Sequence, residues 1–521
     1  MLLSHTDLTD ENDEIIFIKG GELINEATET LERKDILIVN GVIADIVLPG
    51  MDVPPCANVV NAENRILHAG LINSHTHGHG NLSRGMGDRW TLELLLTAGP
   101  WMSGHRTDGD KYLTTLIGAA EMLLKGCTAC YDLTYEFPCP SESGLEAAKK
   151  AYQDAGMRAV IAPMMADLSF FEAIPGLIQA LPEHYQSQVS ALRLAPAKKT
   201  FEALNGVLKS WGDGGQNEIK IALAPTIPHH CSDEFLLTCK DIAEEYGLPV
   251  HSHVAESKIQ AVTGMNRYGR TLTQHLDRLG LINAGFTVAH GVWLDDDDMH
   301  ILGRHGASVA HNPGSNMILG SGLADVRSML NSHINVGIGT DGSNCSDNQN
   351  MYEAMRMASM VSNVRTPEWY SWLTPGEIFK SATEGSARAL GLAGKTGKLE
   401  KGHYADIVFL DRNSINLIPV NNIIHSLIRT EDGRSVCDVM VGGKFAVKNR
   451  ELVNIDIKKL RLQAENAVER LDKLNYNNGV LFRGIERLVG EFCVGLAKKD
   501  YPIHRYGSCA HHHHHDHDCK R

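Results

Sequence analysis

The sequence lacks any apolar run as long as the ~18 residues that a membrane-spanning helix requires. Its first residues carry acidic charge where a secretory signal peptide would carry basic charge. Basic residues are also in deficit, because 49 Lys and Arg face 63 Asp and Glu, for a formal charge of −14. Such a charge repels the phosphates of nucleic acids and anionic membranes. We therefore expect a cytoplasmic protein that binds a neutral or cationic small molecule, and neither nucleic acid nor membrane.

The sequence also lacks the even number of closely spaced cysteines that is typical of a disulfide framework. Eleven cysteines, an odd number, are scattered through 521 residues, which is typical of reduced thiols. Cys127 and Cys130 have the spacing of a redox motif, but they lie between apolar runs, and buried packing is the favoured interpretation. With 43% hydrophobic and 21% charged residues, the composition excludes wholesale disorder and indicates a large folded protein.

Both ends of the chain contain short strand-like apolar runs with turn residues between them, at 14–19, 35–39, 42–47, 406–410 and 437–447. Asn40-Gly41 between two of these runs is a strong signal for a β-hairpin. We expect the two ends, residues 1–66 and 401–454, to pair into one small β-sandwich.

The middle of the chain, residues 67–400, alternates strand-like runs with helical segments, the strands being at 158–163, 219–225, 249–254, 286–290, 307–310 and 336–340. Repeated βα units predict an α/β fold with a parallel sheet, of which the (β/α)₈ TIM barrel is the commonest closed form. Functional side chains then lie at the carboxyl ends of the strands. Residues 455–500 are predicted as a helical extension. Residues 501–521 form a His-rich tail, expected to be disordered, which is either a purification tag or a native metal-binding tract.

Two histidines follow the first apolar run of this middle region. His75 and His77 end the segment that starts at Leu71, and residues i and i+2 of a strand point to the same face. Both imidazoles can therefore reach one metal ion from a single strand end. Taken alone, the pair is equally typical of two exposed loop histidines, so the interpretation depends on ligands from later strands.

A second pair of alternating histidines, His251 and His253, precedes Glu256. We favour His253 as the metal ligand, because Glu256 then lies one helical turn further on, close enough to contact a metal-bound water without ligating the ion. His251 is interpreted as a buried histidine behind the site.

Three later strands also end in candidate site residues, His290, His311 and Asp341. A carboxylate directly after a buried strand is costly unless it is charge-paired or metal-bound. Each residue alone is typical of a core histidine or a helix cap. Their recurrence at consecutive strand ends favours one shared metal site.

The order of these residues resembles the amidohydrolase superfamily, and within it the branch of cytosine deaminase, methylthioadenosine/S-adenosylhomocysteine deaminase and the triazine hydrolases. The matching motifs are His75-x-His77, His253 with Glu256, His290, His311-Asn-Pro-x-Ser-Asn316 and Thr340-Asp341-Gly. The similarity extends over roughly residues 14–450. It implies a (β/α)₈ barrel with a small flanking β-sandwich.

The resemblance also implies one divalent metal, held by His75, His77, His253 and Asp341. Three imidazoles and a carboxylate suit Zn²⁺ best, with Fe²⁺ as the alternative. Asp341 would accept a proton from the attacking water, Glu256 would protonate a ring nitrogen beside the reacting carbon, and His290 would orient the attacking oxygen.

Candidate substrate contacts are Trp90, Arg158, Thr226, His311, Asn316 and Asn344. Trp90 is a candidate for stacking on a flat ring, and Arg158 matches an arginine that the adenosine-type deaminases of this group use near substrate. Thr226 stands where those enzymes carry a histidine, so the heterocycle stays open among purine, pterin, pyrimidine and s-triazine. His311 either lines the pocket or anchors the turn after it, and the two asparagines are either substrate contacts or backbone caps.

The sequence therefore predicts a mononuclear metal-dependent hydrolase, a deaminase of an amino-substituted N-heterocycle, that forms a homo-oligomer. The alternative within enzymes is hydrolysis of an exocyclic amide, urea or thiocarbamate, or displacement of a ring substituent other than ammonia. A non-catalytic scaffold with the same barrel is the remaining alternative. All the implied ligands are present in the sequence, which favours an enzyme.

Overall fold

The computed structural model describes residues 14–211 and 219–507. Its strands are β1 Ile15–Asn25, β2 Thr30–Val39, β3 Val42–Val47, β4 Asn58–Asn61, β5 Arg65–Ala69, β6 Leu71–Thr76, β7 Cys127–Thr134, β8 Arg158–Met165, β9 Lys220–Ile221, β10 Ala224–Pro225, β11 Val250–Val254, β12 Phe286–His290, β13 Ser308–His311, β14 Asn335–Ile338, β15 Ile407–Asp411, β16 Val436–Val441, β17 Lys444–Lys448 and β18 Glu451–Leu452.

The helices alternate with these strands through the middle of the chain. They are α1 Leu92–Ser103, α2 Asp108–Leu124, α3 Glu142–Ala155, α4 Phe170–Ala173, α5 Leu177–Ala180, α6 Glu183–Ser190, α7 Ala197–Trp211, α8 Asp233–Tyr246, α9 Lys258–Tyr268, α10 Leu272–Leu279, α11 Asp296–Arg304, α12 Pro313–Ile318, α13 Val326–Asn331, α14 Met351–Arg365, α15 Pro375–Lys380, α16 Ser386–Ala389, α17 Ile423–Arg429, α18 Ile457–Leu474 and α19 Tyr476–Ala497.

The two ends of the chain pair as predicted, but they form one nine-stranded mixed sheet where we expected a small β-sandwich. β5 from the first part pairs antiparallel with β15 from the last part, with Ala69 opposite Ile407. The predicted hairpin joins β2 to β3, where Asn40 and Gly41 have φ values of 50° and 76°. Both central residues of a type I′ turn need positive φ, and Asn-Gly supplies it at low cost.

The middle of the chain forms two parallel sheets of the TIM-barrel type. The first contains β6, β7 and β8, with β9 and β10 alongside β8, and the second has the order β11-β12-β13-β14. The predicted strand 219–225 is split into β9 and β10. Hydrogen bonds join the first sheet to the second at both of its edges. At one edge the His251 N–H donates to Leu223 O at 2.8 Å, and at the other edge the Asp341 N–H donates to His75 O at 2.9 Å. These contacts bring the carboxyl ends of β6, β11, β12 and β14 together.

Helix α3 shows how local sequence covers these sheets. Ser141 caps it by accepting from the Gly144 N–H at 3.1 Å, and Leu145, Ala148 and Tyr152 form a buried stripe at helical spacing. Such stripes pack the helices against the strands and leave the carboxyl ends of the strands free to carry functional groups.

The predicted helical extension is present as α18 and α19, and α19 packs on α1. Residues 501–507 then pack against the loop after β12, where the Arg505 guanidinium donates to the carbonyls of Val292 at 3.0 Å and Leu294 at 2.9 Å. The tail therefore begins as ordered chain, and its His-rich part, 508–521, lies outside the described residues. In the described ranges, no helix is both long and apolar enough to cross a bilayer.

Candidate active site

Three histidines from two strands converge at one point. His75 lies near the end of β6, His77 directly follows that strand, and His253 lies on β11. The Nε2 atoms of His77 and His253 are 3.3 Å apart, and the three residues offer ligand atoms that all lie within 4.8 Å of one another. His75 is fully buried, and the other two are at most 8% exposed.

Backbone carbonyls fix the tautomers of two of these imidazoles. Nδ1 of His77 is 2.6 Å from Leu133 O, and Nδ1 of His253 is 2.6 Å from Thr226 O. A carbonyl only accepts, so each Nδ1 carries the proton and each Nε2 keeps its lone pair. Burial also lowers the pKa of His75 to about 3 and the pKa of His253 well below its usual range. Burial therefore favours the neutral forms of His75 and His253, as metal ligation requires. At His77 burial lowers the pKa, but the contact with Asp341 outweighs burial and raises it.

Asp341 completes this cluster. It lies shortly after β14, the last strand of the middle region. Its Oδ1 lies 3.1 Å from His77 Nε2 and 3.4 Å from His75 Nε2. Burial raises the pKa of this carboxyl, but the contacts with the two histidines outweigh burial and hold it well below its usual range. The backbone approaches closely here, since a Cβ on Gly339 would lie 2.7 Å from His75 O.

Glu256, which follows β11, and His290, which ends β12, face Asp341. His290 Nε2 lies 3.6 Å from Glu256 Oε2 and 3.7 Å from Asp341 Oδ2. Burial, with the charges of Asp341 and Glu93, raises the pKa of Glu256 well above its usual range, which favours the protonated form of this carboxyl. His290 Nδ1 bonds the side-chain oxygen of Asn316 at 2.8 Å, which turns Nε2 towards the two carboxyls.

Both His290 and Asp341 have left-handed backbones, with φ values of 71° and 62°. Such conformations cost free energy for residues with a Cβ and cluster where function constrains the chain. Both left-handed residues therefore belong to the candidate site.

The donor set fits a divalent metal. Glu256 Oε2 and His290 Nε2 are buried without hydrogen-bond partners in the part of the chain that the structure describes. Buried polar groups of this kind call for a ligand. Neutral imidazoles and a carboxylate are the ligands that Zn²⁺ and Fe²⁺ share.

His251, the other member of its pair, does not belong to the groups of close donor atoms found among the described residues. Its ring centroid is 4.9 Å from that of His75 and 4.5 Å from that of Tyr131, and the residue is fully buried. As residues i and i+2 of β11, His251 and His253 share a face of the strand, and His251 lies behind the candidate metal site as a buried histidine.

A pocket opens above the cluster. Its polar lining residues include His79, Ser103, Tyr135, Ser169, Thr226, His230 and Asn344. Its apolar lining residues include Leu92, Leu95, Leu96, Pro100, Met102, Phe137, Met164, Leu168, Phe170, Phe171, Leu192, Leu194 and Leu319. Helix α1 supplies one wall of this pocket, and the loops after β8 supply another.

The structure brings two of the predicted substrate residues, Thr226 and Asn344, into this pocket. Asn316 is buried behind it, bonded to His290, and His311 is buried beside His290. The sequence left both residues open between a pocket role and a turn or backbone-cap role, and neither is among the residues that line this pocket.

Trp90 and Arg158 do not line the pocket. Trp90 packs against Phe482 of α19 with ring centroids 5.0 Å apart, so the stacking interaction expected for it is with protein. Arg158 begins β8, at the amino end of the strand, and its Nε lies 3.0 Å from Asp406 Oδ2. A strand's first residue lies far from the carboxyl end where the metal ligands gather.

Sequence reasoning missed His79, Tyr135 and the wall formed by α1. The alternation of His75 and His77 continues to His79, and this signal could have identified it. The leucine stripe of α1 is visible in the sequence, but such a stripe is the same for a core helix and for a pocket wall.

The model of the amidohydrolase family matches residues 66–446. The chain belongs to the amidohydrolase family. The family expected from the motifs is therefore confirmed, and so is the expected class of enzyme, a hydrolase acting on carbon–nitrogen bonds other than peptide bonds.

Curated relatives of this amidohydrolase align over most of their length. A 5'-deoxyadenosine deaminase of Methanobrevibacter smithii is 30% identical over 463 residues, which is 88% of this chain and 98% of the relative. A 5-methylthioadenosine/S-adenosylhomocysteine deaminase of Thermococcus onnurineus is 31% identical over 447 residues, 84% of this chain and 95% of the relative.

Solved structures share the fold. An adenosine deaminase of Xanthomonas campestris with bound zinc has a TM-score of 0.77 and 25% identity, covering 88% of this chain and 98% of its own. An atrazine chlorohydrolase of Arthrobacter aurescens, complexed with zinc, has a TM-score of 0.78 and 25% identity, covering 87% of this chain and 100% of its own. Both of these solved structures, each 25% identical to this chain, contain zinc.

Proposed function

We propose that this amidohydrolase is a metal-dependent hydrolytic deaminase of adenosine-type nucleosides. The observation that carries the proposal is the convergence of His75, His77, His253 and Asp341 on one point, with Glu256 beside it. These residues would hold one Zn²⁺, with Fe²⁺ as the alternative. The metal would supply the Lewis acidity that makes a water molecule nucleophilic at neutral pH.

The two carboxyls have opposite tasks because their environments separate their pKa values. Asp341, with its low pKa, accepts a proton from the attacking water as the new carbon–oxygen bond forms. Glu256, with its raised pKa, gives its proton to the ring nitrogen next to the reacting carbon. His290, which a hydrogen bond to Asn316 holds in place, hydrogen-bonds the attacking oxygen.

The second half of the reaction returns these protons. Asp341 passes its proton to the amino group, the carbon–nitrogen bond breaks, and ammonia leaves. Glu256 recovers a proton from the new hydroxyl as it becomes a carbonyl. The net reaction consumes one water and releases one ammonia, and both carboxyls return to their starting states.

An adenosine derivative is supported by two independent observations. The curated relatives described above are named for 5'-deoxyadenosine and 5-methylthioadenosine. The pocket combines polar groups suited to ribose hydroxyls, such as Ser103 and His230, with broad apolar walls that suit the uncharged parts of a nucleoside. Thr226, in the position where the resembling enzymes carry a histidine, contributes its carbonyl to His253 instead.

Ammonia release tests the proposal directly. Purified protein with measured metal content would be assayed against adenosine derivatives, pterins, cytosines and aminotriazines. Stoichiometric metal with turnover of adenosine derivatives supports the proposal. Stoichiometric metal without ammonia from any compound would instead favour displacement of a non-amine substituent, the reaction for which the neighbouring atrazine chlorohydrolase is named.

Further assignments belong to the same proposal. The two parallel sheets are proposed to form one closed (β/α)₈ barrel over 67–400, since hydrogen bonds connect both pairs of facing edges. Residues 1–66 and 401–454 are proposed to form the small β domain together. We propose a cytoplasmic location, supported by the nine cysteines of the described ranges, all of them free. A homo-oligomer is proposed from the sequence alone.

A further inference from the structure

The pocket is chemically divided between its floor and its walls. The floor contains the proposed metal ligands together with Glu256 and His290, all at most 8% exposed. The walls above are apolar and include partly exposed side chains from α1 and from the loops after β7 and α6, among them Leu95, Leu96, Phe137, Leu192 and Leu194. Their partial exposure places these walls nearer the opening than the floor.

The chemistry at the floor fixes how an adenosine derivative must enter. Its amino-bearing carbon has to lie at Glu256 and Asp341, because these carboxyls move the protons. The glycosidic nitrogen is at the far side of the purine from that carbon. The ribose and its 5′ substituent therefore extend away from the floor, towards the apolar walls.

The walls offer no counter-charge to a 5′ substituent. Among the described residues that line the pocket, the only carboxylates are Glu256 and Asp341, and none is Lys or Arg. An ionised group buried there would lose its hydration without compensation. A methyl or methylthio group would instead gain from burial.

Two nearby cations, Arg106 and Lys111, lie in a separate cavity behind His79 and Tyr135. Each is already engaged. Arg106 donates to Ser83 Oγ and to Met102 O, both at 2.9 Å, and Lys111 donates to Asp108 Oδ1 at 2.9 Å. A carboxylate or phosphate reaching them would have to displace these contacts.

We propose that this chain selects adenosine nucleosides with a small, uncharged, apolar 5′ substituent, and discriminates against zwitterionic and phosphorylated ones. The inference rests on the proposed function. It separates this chain from the relative whose name includes S-adenosylhomocysteine. The leucines of the walls are the proposed specificity residues.

Competing substrates test this inference on the metal-loaded enzyme. The specificity constant kcat/KM would be measured for 5′-methylthioadenosine, 5′-deoxyadenosine, S-adenosylhomocysteine and adenosine 5′-monophosphate. We expect the two apolar compounds to exceed the two charged ones by about 100-fold or more. Charged compounds within about tenfold of 5′-methylthioadenosine would overturn the inference and leave the proposed function intact. Absence of turnover with every adenosine derivative would overturn both.

A matched pair of variants locates the selectivity. Leu192 and Leu488 are both partly buried members of the apolar cluster around Phe171, but only Leu192 lines the pocket. Leu192→Asn should lower the ratio of kcat/KM for 5′-methylthioadenosine to that for adenosine by about tenfold, whereas Leu488→Asn should leave the ratio unchanged. The ratio cancels differences in folding and metal content.

Leu194→Asn provides a second pocket variant outside that cluster, should Leu192→Asn fail to fold. A ratio that moves equally in a pocket variant and in Leu488→Asn would contradict the assignment of the 5′ subsite to this wall.

Discussion

The two ends of the parallel strands carry buried charges that differ in how completely they are paired. At the amino end, Asp406 accepts hydrogen bonds from Arg158 Nε at 3.0 Å, Thr396 Oγ1 at 3.0 Å and the Gly442 N–H at 2.7 Å. The Arg158 guanidinium also lies 4.1 Å from the ring centroid of Tyr404. This cluster has its polar groups paired by the protein itself.

At the carboxyl end, the pairing of the buried polar groups is incomplete. Glu256 Oε2 and His290 Nε2 have no hydrogen-bond partner among the described residues, although both side chains are buried. A paired buried cluster stabilises or specifies a fold, whereas an unpaired one marks a place for ligands. The two ends should therefore respond in opposite ways to substitution.

The largest effect is expected from removing a proposed metal ligand. His253→Ala should release the metal and lower kcat/KM by more than about 1,000-fold, because neither the metal nor its water is then held. Metal analysis and ammonia release would measure both. His251→Ala is the control, and it should retain metal. If His251→Ala alone empties the site, the wrong member of the pair has been chosen.

Glu256→Gln separates proton transfer from metal binding at the carboxyl end of the strands. The variant should keep its metal and lose about 100-fold to 10,000-fold in kcat, because an amide has the shape of the carboxyl but no proton to transfer. Metal content and kcat measured on the same sample would separate the two properties. Full activity would contradict the proton-transfer role.

Arg158→Ala removes the buried ion pair at the amino end of the strands. It leaves the Asp406 carboxylate buried without its partner, which should cost about 3–5 kcal/mol in the free energy of unfolding. Denaturant unfolding would measure this cost. Since Arg158 is remote from the pocket, kcat per folded, metal-loaded molecule should be unchanged. A specific loss of kcat at full folding would return Arg158 to the active site.

Asn316→Ala should have the smallest effect. Without its side-chain oxygen, His290 loses the hydrogen bond that orients it, and kcat should fall about tenfold while KM and metal content stay the same. Asn316→Asp, which keeps an oxygen acceptor, should retain more activity than Asn316→Ala. Equal loss in both variants would indicate that the orientation of His290 is not set by this bond.

The candidate metal site was predictable because its ligands are encoded locally. His75 and His77 share a face through the period of a strand, and His253, His290 and Asp341 each end an apolar run. The carboxyl ends of neighbouring parallel strands lie at one edge, so strand-end residues meet without any further information. The Asn40-Gly41 hairpin was predictable for the same kind of reason, a local backbone requirement.

The pocket wall was much less predictable. Trp90 belongs with Phe482, nearly four hundred residues later in the chain, and Arg158 belongs with Asp406. Which side chains meet over such separations depends on how helices pack, and many apolar residues satisfy the same burial requirement equally well.

The sequence by itself determined the strand segments, the Asn40-Gly41 hairpin and the residue types of the candidate metal site, because strand period, turn residues and ligand types act over a few residues. Only the tertiary structure decided which residues face substrate. Helix α1 turns its leucines to the pocket, Asn316 turns to His290, and Arg158 turns to the far end. These outcomes depend on contacts between elements distant in sequence, which no local pattern encodes.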